Sequence, residues 1–258
     1  MSRPAETIVF VHAHPDDEAI FTGGTMVRLA AGGHRVVLVV ATGGELGEAP
    51  AAALPSAHLA AHRRAETSAA AEALGIARVA WLGYHDSGMA GDEANSAPGS
   101  FWAADPAEAT RRLATLLDEE APAAVVVYDE SGIYGHPDHV QVHRIGRGAA
   151  AAVGVPTVYD ATVDREYLHF VETHLVEEAI LAGDLGLVRS HIGLPSVEID
   201  LALDVRDVLD RKRTAMAAHA SQIPESTSAL QLPSHHFADV YGWEWYVRSG
   251  PRGPLDGL

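Results

Sequence analysis

Four short runs of apolar, mostly β-branched residues set the strongest limit on what this chain can fold into. They are Thr7 to His12, Arg35 to Thr42 (RVVLVVAT), Arg78 to Leu82, and Ala123 to Tyr128 (AAVVVY). Each is continuous rather than alternating, the pattern of strands buried on both faces of a parallel sheet. Helical patterns fill the gaps. One runs from Ala19 to Ala31 and closes on Gly32-Gly33, a second from His58 to Leu74 stops at Gly75, and a third covers Pro106 to Glu120. Strand-helix-strand alternation predicts an α/β fold with a Rossmann-like, doubly wound, mostly parallel sheet. From Asp160 onward the periodicity weakens. Helical patterns over Asp164 to Leu181 and Val205 to His219 flank a strand-like Ser196 to Leu203, Tyr241 to Tyr246 reads as a further strand, and Gly- and Pro-rich Ser249 to Leu258 reads as loose. The expected layout is an α/β core over residues 1–160 with a C-terminal α/β extension, 161–258, packed on it as one structural domain.

Composition narrows the chemistry. A chain of 258 residues that is 47% hydrophobic and 21% charged can bury a substantial core. A formal net charge of -17 argues against nucleic acid as a partner, because phosphate binding needs clustered Lys and Arg. With no cysteine and 15 histidines, any metal must be held by imidazole and carboxylate. No apolar run approaches the ~20 residues of a membrane-spanning helix, and the N-terminus lacks the pattern of a signal peptide. A cytoplasmic protein, with no membrane partner and a possible homo-oligomer, is expected.

Ligands of open parallel sheets bind beyond the carboxyl ends of the strands. The segments there are His14-Pro15-Asp16-Asp17-Glu18, Thr42-Gly43-Gly44-Glu45, Tyr84-His85-Asp86-Ser87-Gly88, and Asp129 through His139. His14 and Asp17 are three apart, as are His136 and His139, so the members of each pair can face one way on a helical turn. Imidazole and carboxylate donors that leave an open position suit catalytic zinc, and Fe2+ or another divalent metal fits the same donors. A free carboxylate beside such an ion could take a proton from water, and Asp16 is placed for it. The plainer alternatives are that each pair is a surface pair or a cap, and that the acids at 16–18 favour the positive end of a helix. Gly23-Gly24 and Gly43-Gly44 do not make a dinucleotide fingerprint.

His-Pro-Asp-Asp-Glu at 14–18 and His-Pro-Asp-His at 136–139 resemble the PIG-L/LmbE-like zinc-dependent N-acetylglucosaminyl deacetylases, and among them the mycothiol-precursor deacetylases. Over residues 7 to 222 the resemblance implies that His14, Asp17 and His139 bind zinc, and that Asp16 is the general base. It further implies that His136 polarises the carbonyl or assists the leaving amine, that Asp138 orients a neighbouring histidine, and that Tyr134 donates to the oxyanion. Arg63 and Asp86 would hydrogen-bond sugar or inositol hydroxyls; without the resemblance, Arg63 reads equally well as a salt bridge to a nearby acid and Asp86 as a turn residue. Arg63-x-x-Glu66 and His219-Ala220-Ser221-Gln222 are further family features. Conjugate-cleaving relatives carry a Lys soon after the first motif, whereas the only Lys here is Lys212, which disfavours that activity. The implied function is removal of an N-acetyl or N-acyl group from an N-acetylglucosamine-type small molecule. The alternatives are an amidase acting on a thiol conjugate or antibiotic intermediate, or a metal-containing binding protein of the same fold.

Overall fold

The computed structural model describes residues 5–47, 56–175, 192–224 and 227–258. Strands β1 (Thr7–His12), β2 (Arg35–Thr42), β3 (Arg78–Tyr84), β4 (Ala124–Tyr128) and β5 (Thr157–Thr162) are parallel neighbours in the order β3-β2-β1-β4-β5. Strand β7 (Trp243–Ser249) pairs antiparallel with β5, and β6 (Leu201–Asp204) antiparallel with β7, so the C-terminal segment extends the same seven-stranded sheet. The expected doubly wound, mostly parallel α/β fold is what forms.

Side-chain alternation along the strands supplies two cores, one on each face. Ile8 and Phe10 of β1 point with Val36, Leu38 and Val126 toward α2 (Gly23–Ala31), α3 (Ser56–Leu74) and the later helix at Leu209–Ala218. Val9 and Val11 point with Val37, Val39 and Val127 toward α4 (Pro106–Glu120) and α6 (Pro137–Val153). Both faces are therefore apolar, which is why the runs show no polar alternation.

Four sequence expectations change. The pattern from Ala19 to Ala31 is two helices, α1 (Asp17–Phe21) and α2, separated at Thr22. The break follows from Glu244 of β7, whose carboxylate accepts the amides of Gly24 and Thr25 at 2.8 Å each and so starts a new helix there. Strand β5 was not legible because Thr157, Asp160 and Thr162 interrupt its apolar residues; Asp160 is nonetheless held inside by Arg147 at 2.6 Å. The stretch from Ser196 opens as a 3-10 turn, Ser196–Glu198, and only Leu201–Asp204 is strand. The tail is pinned rather than loose: Leu255 is fully buried, and the Asp256 carboxylate accepts from the Tyr159 hydroxyl at 2.6 Å and the Gly253 amide at 2.8 Å.

The helical pattern from Asp164 is helix α7 (Arg165–Phe170) followed by a wider turn, Val171–Leu175; its expected continuation to Leu181, like the alanine-rich segment 49–53, lies outside the described residues. Among the described residues, α5 (Gly132–Gly135), α6 and α7 are followed by α8 (Leu209–Ala218), α9 (Ser228–Gln231) and α10 (Ser234–Tyr241). Among the described residues no helix is long and apolar enough to cross a membrane.

Glu244 also takes the Lys212 ammonium at 2.6 Å and the Thr25 hydroxyl at 2.6 Å, all of it buried. Removing one member of a buried ion pair leaves the other uncompensated, a loss of about 3–5 kcal/mol. Glu244→Ala should therefore lower the melting temperature by roughly 6–20 °C, at about 2–4 °C per kcal/mol for a chain of this size. Thermal unfolding followed by circular dichroism checks this; a shift under about 2 °C would contradict the capping role.

Candidate metal centre

Strand order reverses between β1 and β4: β1 continues to β2 on one side, β4 to β5 on the other. Connections leave in opposite directions at that point and open a crevice beyond the strand ends. The segment after β1 carries His14, Asp16 and Asp17 into it, and the segment after β4 carries Tyr134, His136, Asp138 and His139.

Asp17 Oδ2 lies 3.3 Å from His14 Nδ1 and 3.4 Å from His139 Nε2. Donors about 2.0–2.1 Å from a tetrahedral zinc stand about 3.3 Å apart, so the Asp17 oxygen has the spacing of a co-ligand to each of the two histidine nitrogens. Two other donor groupings are close enough to consider, His14 with His136 and His139, and His14 with Asp86 and Asp138. Hydrogen bonds decide between them. His136 Nδ1 accepts the Asp138 amide at 3.1 Å, so a neutral His136 carries its proton on Nε2 and offers the site a donor rather than a lone pair. His14 turns its other nitrogen to the site: Nε2 faces Asp138 Oδ2 at 3.2 Å, so with a cation in place of a proton at Nδ1, beside Asp17, the ring proton stays on Nε2. Asp138 is itself held, at the same oxygen, by the Ser87 amide at 3.0 Å. His139 Nδ1 has no hydrogen-bond partner among the described residues, while its ring stacks on Tyr128 with centroids 4.1 Å apart, fixing its plane.

The electrostatics match a cation site. Burial opposes charge on His14, yet the carboxylates of Asp86, Asp138 and Asp17 raise its pKa well above the ordinary value. Burial would also raise Asp17, but His139 and His14 hold it well below the usual carboxylate range. A cluster of acids that draws a proton onto His14 has room for positive charge in its place. Asp16 differs: burial raises it to about 6, with Arg63 pulling down and Asp17 and Glu18 pushing further up. His136 is held neutral, lowered to about 2 by burial and by the facing His14 and His139.

Comparison with known proteins gives the family. Residues 9–150 match the family model PIG-L, described as GlcNAc-PI de-N-acetylase. The 1D-myo-inositol 2-acetamido-2-deoxy-alpha-D-glucopyranoside deacetylase of Geodermatophilus obscurus is 38% identical over 281 residues, covering 98% of this chain and 96% of that one. The chain belongs to the PIG-L family. Among solved structures, the N,N'-diacetylchitobiose deacetylase of Pyrococcus horikoshii aligns with a TM-score of 0.64 at 22% identity, over 95% of this chain and 84% of that one. GalB, the 4-carboxy-2-hydroxymuconate hydratase of Pseudomonas putida, aligns with a TM-score of 0.62 at 22% identity, over 96% and 97%. A deacetylase and a hydratase on one fold mean that the reaction must be argued from side chains.

In this PIG-L chain the turn bearing Asp16 is strained. Asp16 has φ 101° and ψ -31°, a conformation that costs on the order of 1–3 kcal/mol outside glycine. Two groups hold it. Glu18 Oε2 accepts the Asp16 amide at 3.0 Å, and Arg63 donates to the Pro15 carbonyl and, at 3.2 Å, to Asp16 Oδ2. Arg63 also donates to the Gly44 carbonyl at 2.6 Å, and a side chain at Gly44, whose φ is 63°, would collide with the guanidinium. With its Nη atoms bonded to Gly44, Pro15 and Asp16 and only 3% of its surface exposed, Arg63 makes the salt bridge that the sequence allowed. Asp86 is likewise engaged, accepting from the Gly88 amide at 2.9 Å and the Leu46 amide at 3.3 Å with Oδ1 3.6 Å from His14 Nε2.

A second strained residue sits before Tyr134. Ile133 has φ 64° and ψ -56°, the geometry of a rare γ-turn and an outlier for a β-branched residue. Asp129 holds it, accepting the Ile133 amide at 3.0 Å, the Ser131 hydroxyl at 2.6 Å and the Thr162 hydroxyl. Gly132 is required, since a Cβ there would stand 2.7 Å from that of His139. The result places the Tyr134 hydroxyl 3.4 Å from His139 Nε2.

Several supporting residues had no role in the sequence reading. His219 Nε2 meets Glu18 Oε1 at 2.6 Å, both fully buried, and Ser221 binds Glu66 through its amide at 2.7 Å and hydroxyl at 2.6 Å. The two faint motifs on α3 and after α8 thus meet behind the Asp16 turn; their residues were visible in the sequence, but the contact spans about 150–200 positions. His12 and His143 do not reach the centre. His12 is buried between the Tyr128 and Thr22 hydroxyls at 2.8 Å each, its pKa lowered to about 4 by burial, and His143 Nδ1 bonds the Tyr128 carbonyl at 2.8 Å.

Because Arg63 touches Asp16 and not open space, Arg63→Met should reduce kcat by roughly 10–100-fold, the effect of an ångström-scale misplacement, with KM within about twofold. Steady-state kinetics on an N-acetylglucosaminide separate the cases: unchanged kcat with a raised KM would return Arg63 to direct substrate binding.

Proposed function

We propose that this PIG-L chain is a zinc-dependent hydrolase that removes the N-acetyl group from an N-acetylglucosamine-type small molecule. The carrying observation is the triangle of His14 Nδ1, Asp17 Oδ2 and His139 Nε2, with a carboxylate and a neutral imidazole beside it that are not donors. The named activity of the Geodermatophilus relative, an inositol-linked 2-acetamido-2-deoxyglucose deacetylase, supports the substrate class.

His14, Asp17 and His139 would hold the ion, which supplies an acidified water and polarisation of the amide carbonyl. Fe2+ or another divalent ion fits the same donors. Asp16 takes a proton from the attacking water; the turn fixed by Arg63 and Glu18 aims its carboxylate and keeps it off the ligand set. His136, with Nδ1 capped by the Asp138 amide, presents Nε2–H as a hydrogen bond to the carbonyl oxygen or to the departing amine nitrogen, and Asp16 returns the proton it took to that nitrogen as the C–N bond breaks. The Tyr134 hydroxyl donates to the oxygen on which charge develops. Asp138 keeps His14 in the tautomer that leaves Nδ1 free. The amide oxygen and nitrogen thus each meet a donor, and acetate and a free amine are the products.

Zinc-loaded protein should release acetate and primary amine from an N-acetylglucosaminyl-inositol and related N-acetylglucosaminides. Asp16→Asn should retain its metal by elemental analysis while kcat falls by about 10²–10⁴-fold. His14→Ala and His139→Ala should lose the metal itself. Undiminished turnover by Asp16→Asn would remove the base assignment, and metal retention by both histidine variants would remove the ligand assignment.

A further inference from the structure

On the β5 and β7 side of the metal centre the protein encloses a cavity of about 250 Å³. Asp16, Asp17 and Tyr134 form one end of it, so it opens directly off the candidate reaction centre. Its walls are apolar and aromatic, with Phe21, Leu168, Val171, Val240, Trp243 and Trp245 facing in. Strand alternation puts Trp243 and Trp245 on this face while Glu244 turns the other way to α2. Among the described residues, most polar groups that reach the wall away from the centre are already occupied, Lys212 by Glu244, Thr162 by Asp129, and the Tyr167 hydroxyl by the Asp239 carbonyl, which leaves the Tyr241 hydroxyl and the Trp243 and Trp245 indole N–H groups as its polar points.

Such a chamber does not suit a sugar or an inositol. It offers three polar points at most to a ring carrying several hydroxyls, so most of them would give up water without gaining a partner. The opposite side of the centre is polar, formed by the Asp86 turn and by Glu45, which accepts the Asp86 amide at 3.0 Å. An N-acyl glucosaminide has one group of each kind on either side of its amide bond, and the two sides of the centre match them in only one orientation. An acetyl methyl would leave most of the cavity empty, whereas an alkyl chain of about six to eight carbons fills it at interior packing density.

Resting on the amide-hydrolase reading above, we propose that this cavity is the acyl subsite, and that the protein hydrolyses N-acyl glucosaminides with medium-length acyl chains in preference to the acetyl compound. Water adds across the same amide C–N bond, giving a medium-chain carboxylate and the free amine. Burial of each added methylene favours binding by roughly fourfold, so the preference accumulates up to the length at which the cavity is full.

The test measures amine release by the zinc-loaded full-length protein from acetyl, butyryl, hexanoyl and octanoyl glucosaminides of one aglycone. A parallel series of N-acetylglucosaminides varies only an alkyl aglycone. The expected result is a kcat/KM for the hexanoyl compound at least about tenfold above acetyl, with little response to aglycone length. Filling the cavity from opposite walls, by Val240→Phe on α10 or Leu168→Phe on α7, should lower hexanoyl turnover at least about tenfold and leave acetyl turnover within about twofold. Activity on acetyl that falls steadily with acyl length overturns the acyl subsite and leaves the deacetylase reading standing. A response to aglycone length instead assigns the cavity to the other end of the substrate and overturns the proposal. Absence of amine from every compound, acetyl included, overturns both. Should a filling variant fail to fold, the two chain-length series on the unaltered protein still decide the matter.

Discussion

The reversal of strand order between β1 and β4 is the constraint on which the rest of the structure depends. Because the chain leaves these adjacent strands in opposite directions, their end loops cannot pack over each other and a crevice must form. Residues far apart in sequence, His14 with Asp17 and His136 with His139, enter it from facing loops, and nitrogens of His14 and His139 come within 3.4 Å of one Asp17 oxygen. The buried hydrogen bonds around them are as important as the donors. The Asp138 amide occupies Nδ1 of His136 and the Asp138 carboxylate faces Nε2 of His14, so two chemically identical side chains turn opposite ring nitrogens to the same space.

Both loops hold strained backbone beside the centre, at Asp16 and at Ile133. Strain of about 1–3 kcal/mol at each is outweighed by the bonds that hold it, since a hydrogen bond to a charged group contributes about 1.5–3 kcal/mol. Arg63 and Glu18 fasten the first turn and Asp129 the second. Removing a fastening group therefore redirects a functional side chain without touching it. This arrangement also explains why Arg63 looks like a ligand-binding residue in the sequence: it stands one contact away from the chemistry, bound to Asp16 itself.

The C-terminal segment contributes as much to the centre as the strand-end loops do. His219 backs Glu18, Ser221 ties down Glu66, and Glu244 starts α2 while holding Lys212. Strand β7 then supplies the tryptophans of the apolar chamber beside Asp16, Asp17 and Tyr134. One side of the centre is thus polar and the other apolar, a division that follows from which strands flank it.

The sequence by itself determined the parallel α/β sheet, because continuous apolar strands and amphipathic helices are local patterns. It also located the metal-binding segments, since ligands three residues apart on turns after strands are a local pattern too. It did not show strand β5, whose polar residues are paid for by partners such as Arg147 that lie elsewhere in the chain. Nor did it show the break in the first helix, which Glu244 imposes from 220 residues away. Only the tertiary structure showed which hydrogen bonds His136 and Asp17 make, that Arg63 bonds Asp16, and which faint motifs meet. Each of these depends on a hydrogen bond or an enclosed volume between distant segments, and such contacts leave no periodicity for a sequence to display.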